Sequence, residues 1–323
     1  MGKLFQMNDD LFAADNPFVK RNTFLGAEPE DEPLPTYEEA RALLPEPLWA
    51  GHEAALRCYD KAWEIAFRNL RKPTPGTGFV SNFIDTAFNG YLFLWDSSLI
   101  ALFGLYGDRV FSFQKTLDNF YSHQHRDGFI CREICETAPG AQFTRDDPVS
   151  TGPNILAWSE WEYYRVTGKK ERLARIFDPL CGYHEWLRLN RSWPDGSYWS
   201  SGLGCGMDNL PRTPKGCNPQ VSHGFMSWID ACAQAVLDCD RLIRMAGEIG
   251  REREVAALRE EKDLLTRIVN ETMWDEETGF YFDKLRDGSL SRVKTVASFW
   301  TLAAGLATPE RAARMAAHLE DER

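Results

Sequence analysis

From Thr36 onward apolar residues recur three and four positions apart, a spacing that predicts a succession of amphipathic helices. The expected helical stretches are Tyr37 to Leu44, Pro47 to Leu70, Leu94 to Gly107, Val110 to Gln124, Gly152 to Gly168, Lys170 to Arg191, His223 to Gly247, Arg251 to Met273, Lys294 to Ala307 and Pro309 to Leu319. They return at a period of roughly 30 residues, within the range of repeat arrays. No alternating run of comparable length predicts a strand. The most regular stripe is Phe225, Trp228, Ile229, Cys232, Ala235, Val236, Cys239, Leu242, Ile243 and Ala246, which requires one buried face. Ile155, Leu156, Trp158, Trp161, Tyr163 and Tyr164 instead surround their helix, as suits an inner position with neighbours on several sides. Between helical pairs lie aromatic turns, Asp127-Gly128-Phe129, Asp195-Gly196-Ser197-Tyr198 and Thr278-Gly279-Phe280-Tyr281. An all-α ring of antiparallel helical hairpins accounts for both the stripes and the turns.

With 323 residues, 43% of them hydrophobic and 26% charged, the chain has enough apolar material for one large core, and disorder is excluded. The 37 lysines and arginines stand against 48 acids, a net charge of -11, and no segment is basic enough to track a phosphate backbone, so no nucleic-acid partner is expected. Neither a signal-peptide pattern in Met1 to Asp10 nor an apolar run of about 20 residues occurs, so no membrane partner and a cytoplasmic location are expected. Gly26 to Pro35 is acidic and proline-rich, so residues 1–35 read as a solvated N-terminal arm and 36–323 as the domain. Most of the eight cysteines sit in apolar helical patterns, and no disulfide is expected. His123, His125, Cys131 and Cys135 have the chemistry of zinc ligands, but their spacing matches no common zinc module and straddles a turn. No metal is expected. Gly202 to Gly206 lacks the lysine and hydroxyl of a P-loop, which argues against nucleotide binding.

Four loop segments combine acids, aromatics and arginine, the residue types that grip a sugar: aromatic faces meet C–H surfaces while carboxylates and guanidinium groups take hydroxyls. They are Phe93 to Asp96, Asp127 to Glu133, Trp193 to Trp199 and Gly204 to Arg212. Each alone has a plain structural role available, Asp96 as a helix cap or Arg132 and Glu133 as a surface ion pair. Together they fall where successive helices connect, and a ring brings such connections to one rim as a single acidic pocket. Asp208, preceded by small residues and followed by Asn209, Pro211 and Arg212, sits on a rigid loop suited to present a general acid. Burial or neighbouring carboxylates would have to raise its pKa for that task.

At these residues the sequence resembles glycoside hydrolase family 63. DGFICREI is similar to the DGFIPREI-type signature of that family, and GLGCGMDNLPR resembles the segment around the general acid of its bacterial mannosylglycerate and glucosylglycerate hydrolase members. LAWSEWEYYRVTGKKERL and FLWDS extend the likeness, which runs from about Phe83 onward. The resemblance implies an (α/α)6 toroid of six inner and six outer helices, and an inverting attack by water on a small α-glycoside, without a cofactor. It implies Asp208 as general acid and Trp95 and Asp96 in substrate recognition, with Phe93, Arg132, Glu133, Gly206, Asn209 and Arg212 lining the pocket. Cys131 replaces a proline of the family pattern and Leu210 a small polar residue, so the identity of the sugar does not follow.

The predicted helices are too few for that full ring, so the toroid is expected to be incomplete at its C-terminal side, with the general base a glutamate beyond residue 323. An inverting pair needs two carboxyls roughly 6.5 to 9.5 Å apart, and the loop acids Glu133, Glu136 and Asp147 are the internal candidates for the second. Two other readings stay open. Sugar epimerases of the acylglucosamine type share the helical ring but work through histidines, for which His123, His125 and His223 lie near loop ends. A non-catalytic carbohydrate-binding fragment is the other, and an open ring would expose apolar faces that favour self-association. In every reading the partner is a small saccharide or glycoside.

Overall fold

The structure, a computed structural model, describes residues 14–86 and 89–320. Among these the helices are α1 (Tyr37–Ala40), α2 (Glu53–Arg68), α3 (Leu94–Gly104), α4 (Asp118–Ser122), α5 (Leu156–Thr167), α6 (Lys170–Asn190), α7 (Ile229–Ile249), α8 (Ala256–Thr272), α9 (Trp300–Ala303) and α10 (Pro309–Glu320). Strands are two or three residues long and form antiparallel pairs: β1 (Leu70–Arg71) with β2 (Phe83–Ile84), β3 (Tyr91–Phe93) with β4 (Glu133–Cys135), and β5 (Trp274–Asp275) with β6 (Phe280–Tyr281).

Alternate helices are neighbours in space. α3 packs on α5, α5 on α7 and α7 on α9, which makes an inner row, while α6 packs on α5 and α7 and α8 lies along α7 from outside. The stripe of α7 explains its place: Ile229, Cys232, Val236, Cys239 and Leu242 are all buried in the main core. The apolar girdle of α5 likewise has α3, α6 and α7 around it. No helix among the described residues is long and apolar enough to cross a membrane.

Departures from the apolar spacing have local causes. Val110 to Gln124 is not one helix but a 3₁₀ turn, Phe113–Leu117, leading into the short α4. Thr116 Oγ1 accepts from the Ile84 amide, and Asn119 Oδ1 accepts from the Val80 and Ser81 amides, so side chains expected on a helix serve the segment before β3 instead. Lys294 to Ala307 is similarly a 3₁₀ turn, Val296–Phe299, before α9, with the Ser298 hydroxyl donating to the Tyr281 carbonyl at 2.7 Å. α2 and α7 begin later than their apolar patterns, at Glu53 and Ile229.

The N-terminal segment differs as well. Val19 and Phe24, expected in a solvated arm, are buried, and Asn16 and Arg21 bond Glu185 and Asp178 of α6 at 2.8 and 2.9 Å. The domain therefore takes in this segment, while from Gly26 to Pro35 the chain runs without a buried residue. The charged side chain of Arg172 in α6 meets Glu160 of α5 in a forked pair at 2.7 Å and Asp118 of α4 at 3.0 Å, tying three helices together away from water.

The turn at Gly128 shows how closely loop and helix approach. Its φ is +108°, and a Cβ there would stand 2.1 Å from the Gly182 carbonyl oxygen of α6. Gly140 has the same φ with nothing within 4 Å. Replacing each by alanine separates contact from backbone strain: G128A is expected to cost about 2 kcal/mol more than G140A in denaturant unfolding. Equal losses would show that the turn and α6 do not touch as described.

Candidate active site

The pairing of β3 with β4 sets Phe93 opposite Glu133, and the Leu94 amide donates to the Arg132 carbonyl at 2.9 Å. Two segments distant in sequence, Phe93 to Asp96 and Arg132 to Cys135, thereby lie side by side. Arg132 in turn donates its amide to the Ser150 carbonyl at 2.8 Å and its Nε to the Val149 carbonyl at 2.7 Å, which brings in the segment before α5. The third wall is the loop from Ser201 to Arg212. The Ser201 hydroxyl accepts from the Gly204 amide at 3.1 Å, and the Cys205 side chain is buried beneath.

A cavity of about 270 Å³ results, lined by Phe93, Trp95, Asp96, Arg132, Gly152, Pro153, Leu203, Gly206 and Asp208. Gly206, with φ +69°, lies against the indole of Trp95; a Cβ there would stand 2.9 Å from Trp95 Cδ2. Trp95 meets Trp300 edge to face at 5.9 Å, and Trp300 meets Trp158 at 5.7 Å. Asp208 is exposed at the edge of the cavity.

The site is crowded with negative charge. Burial raises the Asp96 carboxyl, its own backbone amide opposes this, and the charge of Asp208 adds to the rise against the pull of Arg132. Burial also raises Glu133, with the Arg132 guanidinium opposing and Asp208 and Asp96 adding to the rise. Arg132 forms an ion pair with Glu133 and lies 4.8 Å from the Phe143 ring centre. Asp96 and Glu133 thus share one guanidinium, and both hold their protons more tightly than free side chains do.

Six residues expected at the pocket, Phe93, Trp95, Asp96, Arg132, Gly206 and Asp208, line it, and Glu133 stands behind Arg132. Two others do not. Asn209 is exposed outside the cavity lining. Arg212 is 2% exposed and is committed elsewhere: its Nε bonds Asp283 Oδ2 at 2.9 Å and its Nη2 bonds Asp230 Oδ1 at 2.7 Å, over the Trp228 ring. It anchors the loop to the start of α7 and does not line the cavity. The Trp193 to Trp199 segment lies apart, its two indoles packed about His223. Trp300, which packs against Trp95, is not legible as its neighbour, since a tryptophan in a helical pattern is ordinarily core. Gly152 and Pro153 carry a weak signal, a breaker run before α5.

The histidines at loop ends and the loop acids Glu136 and Asp147 lie outside this cavity's lining. Both ring nitrogens of His123 meet backbone carbonyls, of Asn119 at 2.7 Å and Thr77 at 2.9 Å, and none of His123, His125 and His223 lines the cavity. Asp147 is outside the lining, its carbonyl accepting from Arg191 at 2.9 Å. Glu136 is 8% exposed and bonds Asp85, so burial first, and then that neighbour, push its carboxyl up to about 8, with Arg71 opposing. Between the ordinary 4.5 and about 8 the folded chain therefore holds a proton that the unfolded chain releases. Stability falls as pH rises through that window. In E136Q the fall is expected to flatten, measured by urea unfolding at the two ends of the window; an unchanged slope would place Glu136 in a different environment.

A mannosylglycerate hydrolase MGH1-like glycoside hydrolase domain matches residues 90–323. The GH63 mannosylglycerate hydrolase from Thermus thermophilus in complex with glucose shares the fold with a TM-score of 0.62 at 22% identity, over 79% of this chain and 74% of that one. Neutral trehalase Nth1 from Saccharomyces cerevisiae does so with a TM-score of 0.57 at 16% identity, over 74% and 54%. An uncharacterized protein from Borreliella burgdorferi is 22% identical over 235 residues, 71% of this chain, and the chain spans 46% of the length of that curated relative. The inner and outer helices are accordingly those of an (α/α)6 toroid. Since the matched domain takes in every residue that lines the cavity, the chain belongs to the mannosylglycerate hydrolase MGH1-like glycoside hydrolase family.

Proposed function

We propose that the domain hydrolyses a small α-glycoside, an α-glucoside or α-mannoside of glycerate-like aglycone, with inversion at the anomeric carbon and Asp208 as general acid. The observation that carries this reading is the convergence of the exposed Asp208 carboxyl, the Trp95 indole and the half-buried Asp96 on one cavity of sugar-ring size. The C–H face of the ring rests on Trp95, and Asp96 and Arg132 take hydroxyls. The proton of Asp208 passes to the glycosidic oxygen as its bond to the anomeric carbon breaks. Water adds from the opposite face and loses its proton to a second carboxylate.

Substrate leaving groups test the assignment. D208N is expected to lower kcat on alkyl α-glycosides by about 10²–10⁴-fold, the ordinary worth of a general acid. On the matching α-glycosyl fluoride, whose leaving group needs no proton, the loss is expected to be far smaller. The same loss on both substrates would remove Asp208 from the acid's role, and a first-formed α-anomer in the NMR spectrum would exclude inversion.

A further inference from the structure

Between the inner and outer helices lies a second group of polar side chains that hydrolysis does not use. His184 of α6, Cys239 of α7 and Glu261 of α8 turn toward one point, with His184 and Cys239 fully buried. One donor atom from each lies within 4.8 Å of the others. His184 Nδ1 is 2.7 Å from Asp238 Oδ2, so Nδ1–H donates to that carboxylate and Nε2 faces the remaining two side chains. Nε2 is 3.2 Å from Glu261 Oε2 and 3.6 Å from Cys239 Sγ. Glu261 is fixed through its other oxygen, which accepts from the Tyr198 hydroxyl at 2.5 Å.

These separations have a coordination meaning. Around a tetrahedral zinc ion, with bonds of about 2.0–2.1 Å to nitrogen, 2.0–2.2 Å to oxygen and 2.3 Å to sulfur, nitrogen stands about 3.4 Å from oxygen and about 3.6 Å from sulfur. The two distances from His184 match such edges, while the Glu261 oxygen and the Cys239 sulfur, within 4.8 Å, must draw together by about 1 Å to reach theirs. An imidazole and a thiol together favour zinc over magnesium or calcium.

We propose that His184 Nε2, Cys239 Sγ and Glu261 Oε2 bind a zinc ion that pins α6, α7 and α8 together, with Asp238 and Tyr198 orienting the ligands and water in the fourth position. Cys239 gives up its proton on binding. Glu261 is the ligand nearest solvent, and Arg188 Nε, 3.7 Å from its Oε2, faces the site from that side. The same side chains admit one other arrangement, a metal-free imidazolium donating to both carboxylates, and metal content decides between the two.

The full chain, expressed with added zinc and dialysed against buffer, is expected to retain about one zinc ion per chain. E261Q, which keeps the shape of the side chain, is expected to weaken zinc affinity by about tenfold or more. Cobalt in place of zinc is expected to give thiolate-to-cobalt charge-transfer absorption that C239A abolishes and C58A, at an exposed cysteine, leaves intact. Wild-type protein that retains no zinc and shows no cobalt band overturns the proposal, as does a band that survives C239A. Should C239A fail to fold, E261Q decides alone: unchanged zinc affinity overturns it.

Discussion

A three-residue strand pairing organises the site. Tyr91–Phe93 against Glu133–Cys135 sets the first turn of α3 beside Arg132 and Glu133, and the Leu94 amide continues the ladder by one bond. Each such hydrogen bond adds only about 1 kcal/mol net, but Leu92, Leu94 and Ile134 are fully buried, so breaking the pairing would leave amides unsatisfied away from water. Trp95 and Asp96 follow immediately, and their direction is fixed by the start of the helix. The small sheet is thus the hinge between a helical scaffold and a set of loops that carry chemistry.

Charge then differentiates the acids. Asp96 and Glu133 lie where burial and mutual repulsion hold protons on, while Arg132 keeps the group from flying apart. Asp208 stands outside them at the mouth, on a loop secured at both ends. Ser201 and the buried Cys205 hold one end, and Arg212, locked between Asp230 and Asp283, holds the other. Asp283 also accepts from the Ile229 amide at 2.9 Å, so the loop's anchor is the first turn of α7 itself. A rigid loop that carries one exposed carboxyl is suited to deliver a proton in a defined direction.

Much of this is legible in the sequence, for identifiable reasons. The stripe from Ile229 to Ala246 is long and regular, and a helix of that length can bury it in one way only. Phe93 to Asp96, Arg132 and Asp208 pair unusual residue types with positions between helices, which a ring collects at one rim. Arg212 lies outside the cavity lining, and a guanidinium suits a sugar as well as it suits a carboxylate. Its partners Asp230 and Asp283 lie 18 and 71 residues away, and nothing local announces them. Phe24 is hidden next to an acidic, proline-rich run, although it packs 5.3 Å from the Tyr121 ring. The 3₁₀ turn at Phe113–Leu117 depends on side-chain bonds from Thr116 and Asn119 to another segment, a tertiary effect that spacing does not encode.

The central claim is that Trp95 and Asp208 enclose one sugar ring between them. A crystal structure of D208N soaked with an intact α-glucoside or α-mannoside measures this directly. The account predicts the ring resting on Trp95, with its glycosidic oxygen within hydrogen-bond reach of position 208. A sugar seated instead beside Trp193 and Phe225, at the separate hollow those residues form with Lys284, would contradict it.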